Sequence, residues 1–479
     1  MTTTTRKIPT SHLRFGAARA DITQPTGIYH RMWGAASHDR AAGVHRPLFA
    51  DALALLPLDG SGPGLLRLLI DLVGLGKNEL DGLVQAAADA SGIPVENVVV
   101  TFSHTHSAGM MTPDRVPLPG GDLIPGYLTD LNTAVARISR EAVENAQDAV
   151  ISYATGRCGM AANRDCWDDD AGIFVCGYNQ STPADDTLLV GRVTDADGKV
   201  LAILVNYACH PTTLAWDNQL ISPDYVGSLR ETVEEATGAA CFFLLGACGE
   251  LGPTQGFVGD TAVADRNGRE VAYAALSALS SLGPPTADFA YSGPVVSGAT
   301  LGAWAFAPQD DPRVAESSRF SGGALAVPLP TKARPNPDTL SADLEEWETR
   351  WQEAIDAGQE TEARDARARA ERARRWLGRL RHIPTDGLVP VHCAVYRLGD
   401  ALWITCGGEP YSLLQTELRR RFPDETIFVS PLSGDMHVAY LLPKDRYGLG
   451  LYQEEPSILA PGCLEGLINA IAERIQTLH

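Results

Sequence analysis

The chain has 479 residues, enough for a large buried core, and 39 basic against 59 acidic residues give it a formal charge of −20. That balance argues against nucleic acid or an anionic membrane surface as a partner, and no apolar run is long enough for stable membrane insertion. Nine cysteines without a C-x-x-C pair, several inside apolar runs, fit buried thiols in a reducing compartment. The first stretch, M-T-T-T-T-R-K-I-P-T-S-H-L, lacks the apolar core of a secretory signal, so a soluble, cytoplasmic protein is expected.

In chain order, residues 15–23 read as an opening strand, followed by Pro25 and Gly27 as loop signals. Residues 43–55 lead from a loop carrying His45 and Arg46 into a second strand, and His45 reads as an ordinary polar loop residue. Residues 65–71 form a strand ending in a carboxylate, 77–90 have helical spacing, and Val98–Phe102 is a buried β-branched strand. Strand, helix, strand is a crossover signature and predicts a mixed α/β architecture with sheets flanked by helices. A long amphipathic helix is expected over 128–149, and Ala162, Asn163 and Arg164 fall in a polar, Asp-rich stretch that reads as an exposed loop.

A strand over 200–209 ends in His210. S-P-D-Y at 222–225 then opens a helix running to about residue 236, and Ala240–Leu245 is a buried strand entering the turn G-A-C-G-E-L-G-P at 246–253. Residues 307–339, rich in Pro, Gly and Ser, read as a long loop or lid. The charged segment 338–381, with Trp347, Trp351, Trp376 and Leu377 and a break at Gly358, reads as a surface helical hairpin. Strands at 392–398 and 401–405, a strand-to-helix junction at 406–414 carrying Glu409, a strand at 427–431 and a last helix at 463–477 complete the chain.

The most informative stretch is N-V-V-V-T-F-S-H-T-H-S-A-G-M at 97–110. Residues two apart in extended chain project from one face, so His104 and His106 stand side by side at a strand tip. They can share one metal, or one can bind metal while the other meets a substrate; His210, at the end of a second apolar strand, raises the case for a site. Taken singly, Arg164 reads as a loop salt-bridge residue, Tyr452 as core edge and Glu409 as a helix N-terminal carboxylate.

The motifs H-T-H-S (104–107), N-Y-A-C-H-P-T (206–212) and G-E-P-Y (408–411), with tyrosines at 440, 447 and 452, occur in an order that resembles the catalytic domain of neutral ceramidases. A-D-I-T (20–23), M-W-G-A (32–35), G-V-H-R-P-L (43–48) and A-N-R (162–164) add to the resemblance. It implies a single catalytic domain over 1–479 and a zinc ion held by His104, His210, Glu409 and Tyr440. It also implies that His106, Arg164 and Tyr452 line the substrate side, with zinc activating a water that attacks an acyl carbonyl. Arg164, Tyr452 and His106 would then meet the oxyanion, and Glu409 or His106 would handle the proton passed to the leaving amine.

The sequence departs from the family where a G-D-x-S-P-like turn supplies a serine beside the metal: the matching turn here is G-E-L-G-P, with Gly252 at that substrate-side position. The chain is also expected to lack the family's C-terminal β-sandwich and a secretory signal. The expectation is therefore a zinc amidohydrolase acting on a small-molecule acyl amide or ester more soluble than ceramide. An esterase or lactonase with the same centre, or a non-catalytic metal-bound binding protein, is the alternative, and a homo-oligomer stays open.

Overall fold

Strands that are apolar on both faces must be covered on both, and this requirement sets the architecture. The structure, a computed structural model, describes residues 5–381, 383–434 and 436–478. Eight strands pair in the order Ala240–Leu245, Val200–Tyr207, Thr187–Thr194, Gln147–Arg157, Thr10–Asp21, Phe49–Leu56, Leu65–Ile70, Val98–Phe102. The outermost pair at each edge is parallel, and the pairings between are antiparallel.

Period-2 alternation then assigns the two faces. In Phe49–Leu56, Ala50, Ala52 and Ala54 pack toward Leu80, Leu83, Ile124 and Leu131 of helices Lys77–Ser91 and Ile124–Glu144. Leu53 and Leu55 face the other way, onto Tyr396, Trp403 and Phe428 of a second sheet. That sheet runs Phe320–Pro330, Leu388–Leu398, Ala401–Cys406, Thr426–Val429, and its far face (Val391, Val395, Ile404, Val429) is covered by helices Leu413–Arg421 and Cys463–Gln476. The result is a layered helix, sheet, sheet, helix arrangement, the mixed α/β class expected. Asn206 stitches the layers: its side-chain amide donates to the carbonyls of Leu244 at 2.8 Å and Val429 at 2.9 Å.

Several sequence expectations need correction. The opening strand is Thr10–Asp21, not 15–23, and the helix expected over 128–149 is Ile124–Glu144, after which Gln147–Arg157 begins a strand. Residues 307–339 are not a long loop. They finish the strand Ala299–Pro308, form the helix Asp311–Ser317, and lay down Phe320–Pro330 in register with Leu388–Leu398. Pro328 and Pro330 are tolerated because this is an edge strand. The 162–164 segment is likewise no exposed loop: Ala161–Asn163 is a buried strand paired with Leu251–Pro253.

The hairpin is present as helices Pro337–Asp356 and Glu360–Leu380, with Gly358 at φ 68° in the turn. Its apolar side is mostly alanine with Trp376 and Leu380, while Trp347 and Trp351 lie under arginines: Arg369 sits 4.5 Å above Trp347 and Arg367 4.7 Å above Trp351. What docks it is a buried ion pair. Arg115, 1% exposed, donates through both terminal nitrogens to Glu371, 6% exposed, at 2.7 and 2.5 Å, and Arg375 Nε adds a third bond at 2.8 Å. Among the described residues no helix is long and apolar enough to cross a membrane.

Glu371→Ala leaves the buried Arg115 with only the exposed Asp114, 3.2 Å from its Nε, and is expected to lower unfolding stability by about 3 kcal/mol, measurable from the denaturant midpoint. Burial pushes the Glu371 carboxyl up, but Arg375 and Arg115 outweigh it and hold it below its ordinary value of 4.5. Its contribution is therefore full above about pH 4.5 and fades only as the pH falls toward the depressed folded-state value. A Glu371→Gln protein should show correspondingly less acid dependence in that range.

Candidate metal centre

Two strand ends from distant parts of the large sheet supply the centre. In a flat sheet the six spacings between Val98–Phe102 and Val200–Tyr207 would separate them by about 29 Å. The rings of His104 and His210, two and three residues beyond those strands, have centroids 5.1 Å apart. The sheet is thus curled enough to bring these two ends together. His104 sits at φ 64°, a left-handed conformation costing roughly 1–2 kcal/mol for a non-glycine residue. Its N–H donates to Leu72 O at 3.0 Å and its Nδ1 to Val73 O at 2.6 Å, which hold the ring in that pose.

His210 is held the same way, with its backbone N–H donating to Leu251 O at 3.1 Å and Nδ1 to Cys248 O at 2.6 Å. Donation from Nδ1 leaves each Nε2 as a lone pair aimed inward. Both lone pairs face one atom, Glu409 Oε2, at 3.1 Å from His210 and 3.4 Å from His104. A single shared proton can relieve one of these contacts; a cation relieves both. Burial, then Arg164, pull the His210 pKa down to about 4, so the ring is neutral and competent to ligate.

One ligating atom each from His104, His106 and His210 lie within 4.8 Å of one another, so this group could hold a metal ion. His106 is the third member of the cluster, and its Nε2 is buried with no hydrogen-bond partner among the described residues. Burial, then His104 and His210, keep it well below its usual pKa, and Trp33 packs against it at 5.2 Å. Imidazole nitrogens with a carboxylate oxygen form a donor set that suits zinc.

Glu409 and Tyr440 are register partners in the short parallel pair Glu409–Pro410 and Tyr440–Leu441. Gly408, at φ 78°, is required there, because a Cβ would lie 2.6 Å from Leu441 Cδ1 and 2.7 Å from Ala439 O. Arg164 Nη2 donates to Gly249 O at 2.8 Å and Tyr440 Oη at 3.1 Å, and lies 3.4 Å from His210 Nε2. Burial raises the Tyr440 phenol well above its ordinary value, with Glu409 adding to the rise and Arg164 opposing it. Tyr452 stands at the mouth, 53% exposed, its ring centroid 6.0 Å from that of Tyr440. Tyr447 does not join them: its hydroxyl donates to Leu459 O at 3.2 Å.

Gly252 lies in register with Ala162, beside Arg164. A Cβ there would meet only Thr212 Oγ1 at 3.6 Å and Arg164 Cδ at 3.7 Å, so the space for a side chain exists and is unused. The Thr212 hydroxyl facing that space is buried and has no hydrogen-bond partner. The sequence reading missed this hydroxyl. It also missed Trp33, although M-W-G-A stood out as a motif, and Asp165, which accepts from Tyr411 Oη at 3.1 Å and Gln453 Nε2 at 2.9 Å and so ties the G-E-P-Y and Tyr452 segments together. His45 pairs with Ser222 at 2.9 Å and Asp265 at 3.2 Å.

A solved structure of neutral ceramidase from Pseudomonas aeruginosa superposes on this chain with a TM-score of 0.63 at 16% identity, covering 98% of this chain and 74% of that one. A structure described as ceramidase complexed with C2 matches equally, at a TM-score of 0.63 and 16% identity, over 98% of this chain and 76% of that one. The chain has the neutral ceramidase fold. No protein-family model matches the sequence, and no curated protein does. The resemblance carried by H-T-H-S, N-Y-A-C-H-P-T and G-E-P-Y thus holds for the fold.

Metal analysis of two variants separates the roles within this cluster. His210→Ala should lose the metal, whereas His106→Ala should keep most of it, because His104, His210 and Glu409 remain. Equal metal loss in both would make His106 a ligand.

Proposed function

We propose that the chain is a zinc-dependent hydrolase cleaving acyl amide bonds, like the ceramidases whose fold it has, but on a substrate more soluble than ceramide. The observation that carries this reading is the pair of inward Nε2 lone pairs meeting one carboxylate oxygen beside a buried guanidinium and phenol. His104, His210 and Glu409 would hold the ion, with Tyr440 completing the set. When bound, the cation would polarise an acyl carbonyl and lower the proton affinity of a water.

The remaining steps belong to the protein's own groups. Arg164, fixed by Gly249 and Tyr440, has a buried Nε without a partner, and it can donate to an acyl oxygen as negative charge develops there. Tyr452, at the mouth, supplies a second donor. His106, neutral with an unpartnered Nε2, can take a proton and pass it to the leaving amine. We assign this transfer to His106 rather than Glu409, because Glu409 Oε2 is already engaged by two imidazoles. The net charge of −20 works against prolonged contact with an anionic lipid surface, which favours a dissolved substrate.

Purified protein given zinc should hydrolyse members of a panel of N-acyl amides, lose that activity on chelation and regain it with zinc. Hydrolysis of esters alone would move the assignment to an esterase or lactonase using the same residues. A metal-loaded protein inert across both panels would end the hydrolase reading and leave a binding protein. Arg164→Met should lower kcat by about 10²–10³-fold, the usual loss for an oxyanion donor, with metal content retained.

A further inference from the structure

The second hairpin helix, Glu360–Leu380, lies against both loops that frame the mouth of the site. Trp376 Nε1 and Arg372 Nε donate to the same oxygen of Glu455 at 2.8 and 2.5 Å, and Glu455 follows the turn Tyr452–Glu454. Arg375 Nη2 donates to Met32 O at 2.8 Å, and Met32 precedes the Trp33 ring that packs on His106. Helical spacing puts residues 372, 375, 376 and 379 on one face, so this face addresses the Tyr452 side and the His106 side together.

Arg379 is the next residue along that face. Its guanidinium lies 5.6 Å from the centre of the Trp376 ring, and the ionisable groups around it are Arg375, Tyr452, Glu455 and Glu409. Four other arginines of this helix close on carboxylates of other segments or of the helix itself: Arg367 on Asp39, Arg372 on Glu455, Arg374 on Glu348 and Arg375 on Glu371. Arg379 has no hydrogen bond or ion pair to a carboxylate among the described residues. Glu455, one of the two acids around it, is already used by Arg372 and Trp376. Burial lowers the proton affinity of Arg379, and the neighbouring Arg375 adds to this. Arg369 of the same helix also lacks a carboxylate and lies over Trp347; what sets Arg379 apart is its position, with Tyr452 and Glu409 among the ionisable groups around it.

We propose that Arg379, with Arg375 beside it, binds an anionic group, carboxylate or phosphate, on the part of the substrate that projects past Tyr452. This deepens the hydrolase reading and rests on it for the chemistry at the metal end. A planar guanidinium offers two parallel donors to a carboxylate or phosphate, and partial burial strengthens such a contact. N-acylated amino acids are the simplest substrates of this class: the acyl carbonyl meets Arg164, and the carboxylate on the amine side meets Arg379.

The test uses zinc-loaded full-length protein and three compounds with one acyl chain: an N-acylglycine, the neutral N-acylethanolamine and its phosphate ester. The ratio of kcat/KM for an anionic over the neutral compound should be about tenfold or more. It should fall toward one in Arg379→Met, lie between in Arg379→Lys, and be kept in Arg381→Met, which removes an exposed arginine just past the same helix. The better anionic arm identifies carboxylate or phosphate. A ratio near one in the wild type, or a ratio unchanged by Arg379→Met, overturns the proposal and leaves Arg379 as a residue stacked on Trp376.

Calorimetric binding of the same anionic compounds separates this inference from the hydrolase reading. If none of the compounds is turned over but an anionic one binds at least about tenfold more weakly to Arg379→Met, the anion site stands and the hydrolase reading fails. No binding to the wild type, or equal binding to both proteins, overturns the anion site. Thermal midpoints of the variants check folding, and Arg379→Lys carries the comparison if Arg379→Met does not fold.

Discussion

The centre is organised by two imidazoles from distant strand ends meeting one buried carboxylate. His104 and His210 each commit Nδ1 to a backbone carbonyl, so their two Nε2 atoms converge on one carboxylate oxygen of Glu409. Such a convergence of donor atoms could hold a metal ion. The backbone is held in place to build it: His104 and Ala439, the latter beside Tyr440, both occupy left-handed conformations that non-glycine residues avoid.

The layered core makes that meeting possible. Curling of the eight-stranded sheet brings two strand ends together, and Asn206 ties that sheet to the second one, whose strands lead on to the separate short pair that carries Glu409 and Tyr440. The N-Y-A-C-H-P-T motif is thus mostly construction. Asn206 joins the sheets, the Tyr207 hydroxyl accepts from Ala161 N–H at 2.8 Å and donates to Cys158 O at 3.0 Å, and only His210 faces the centre directly. Thr212 adds a buried hydroxyl beside the unfilled space at Gly252.

The hairpin has more than a surface role. Its buried Arg115–Glu371 pair fixes the second helix against loops that carry Trp33 and Tyr452, and the alanine-rich stripe allows close approach: Ala368 Cβ would lie 2.9 Å from a Cβ at Gly34. The charge pattern that reads as a solvated helical face therefore contains two kinds of arginine. Some neutralise carboxylates, while Arg369 and Arg379 lie over tryptophan rings without one.

Local pattern was enough to place the strands before His104 and His210, the hairpin and the last helix, because apolar runs and helical spacing are properties of neighbouring residues. It also marked H-T-H-S and G-E-P-Y as places where chemistry-bearing side chains leave regular structure. It failed at 307–339, where Pro and Gly on an edge strand look like a loop, and at 162–164, where polar residues are buried by pairing with a segment about ninety positions away. Which nitrogen of each histidine faces inward, that Tyr440 and not Tyr447 meets Arg164, and that Arg379 lacks the carboxylate its neighbours have were decided only in three dimensions. Each depends on a partner far along the chain, and hydrogen-bond direction and charge pairing are set by what packing brings within about 3 Å rather than by sequence spacing.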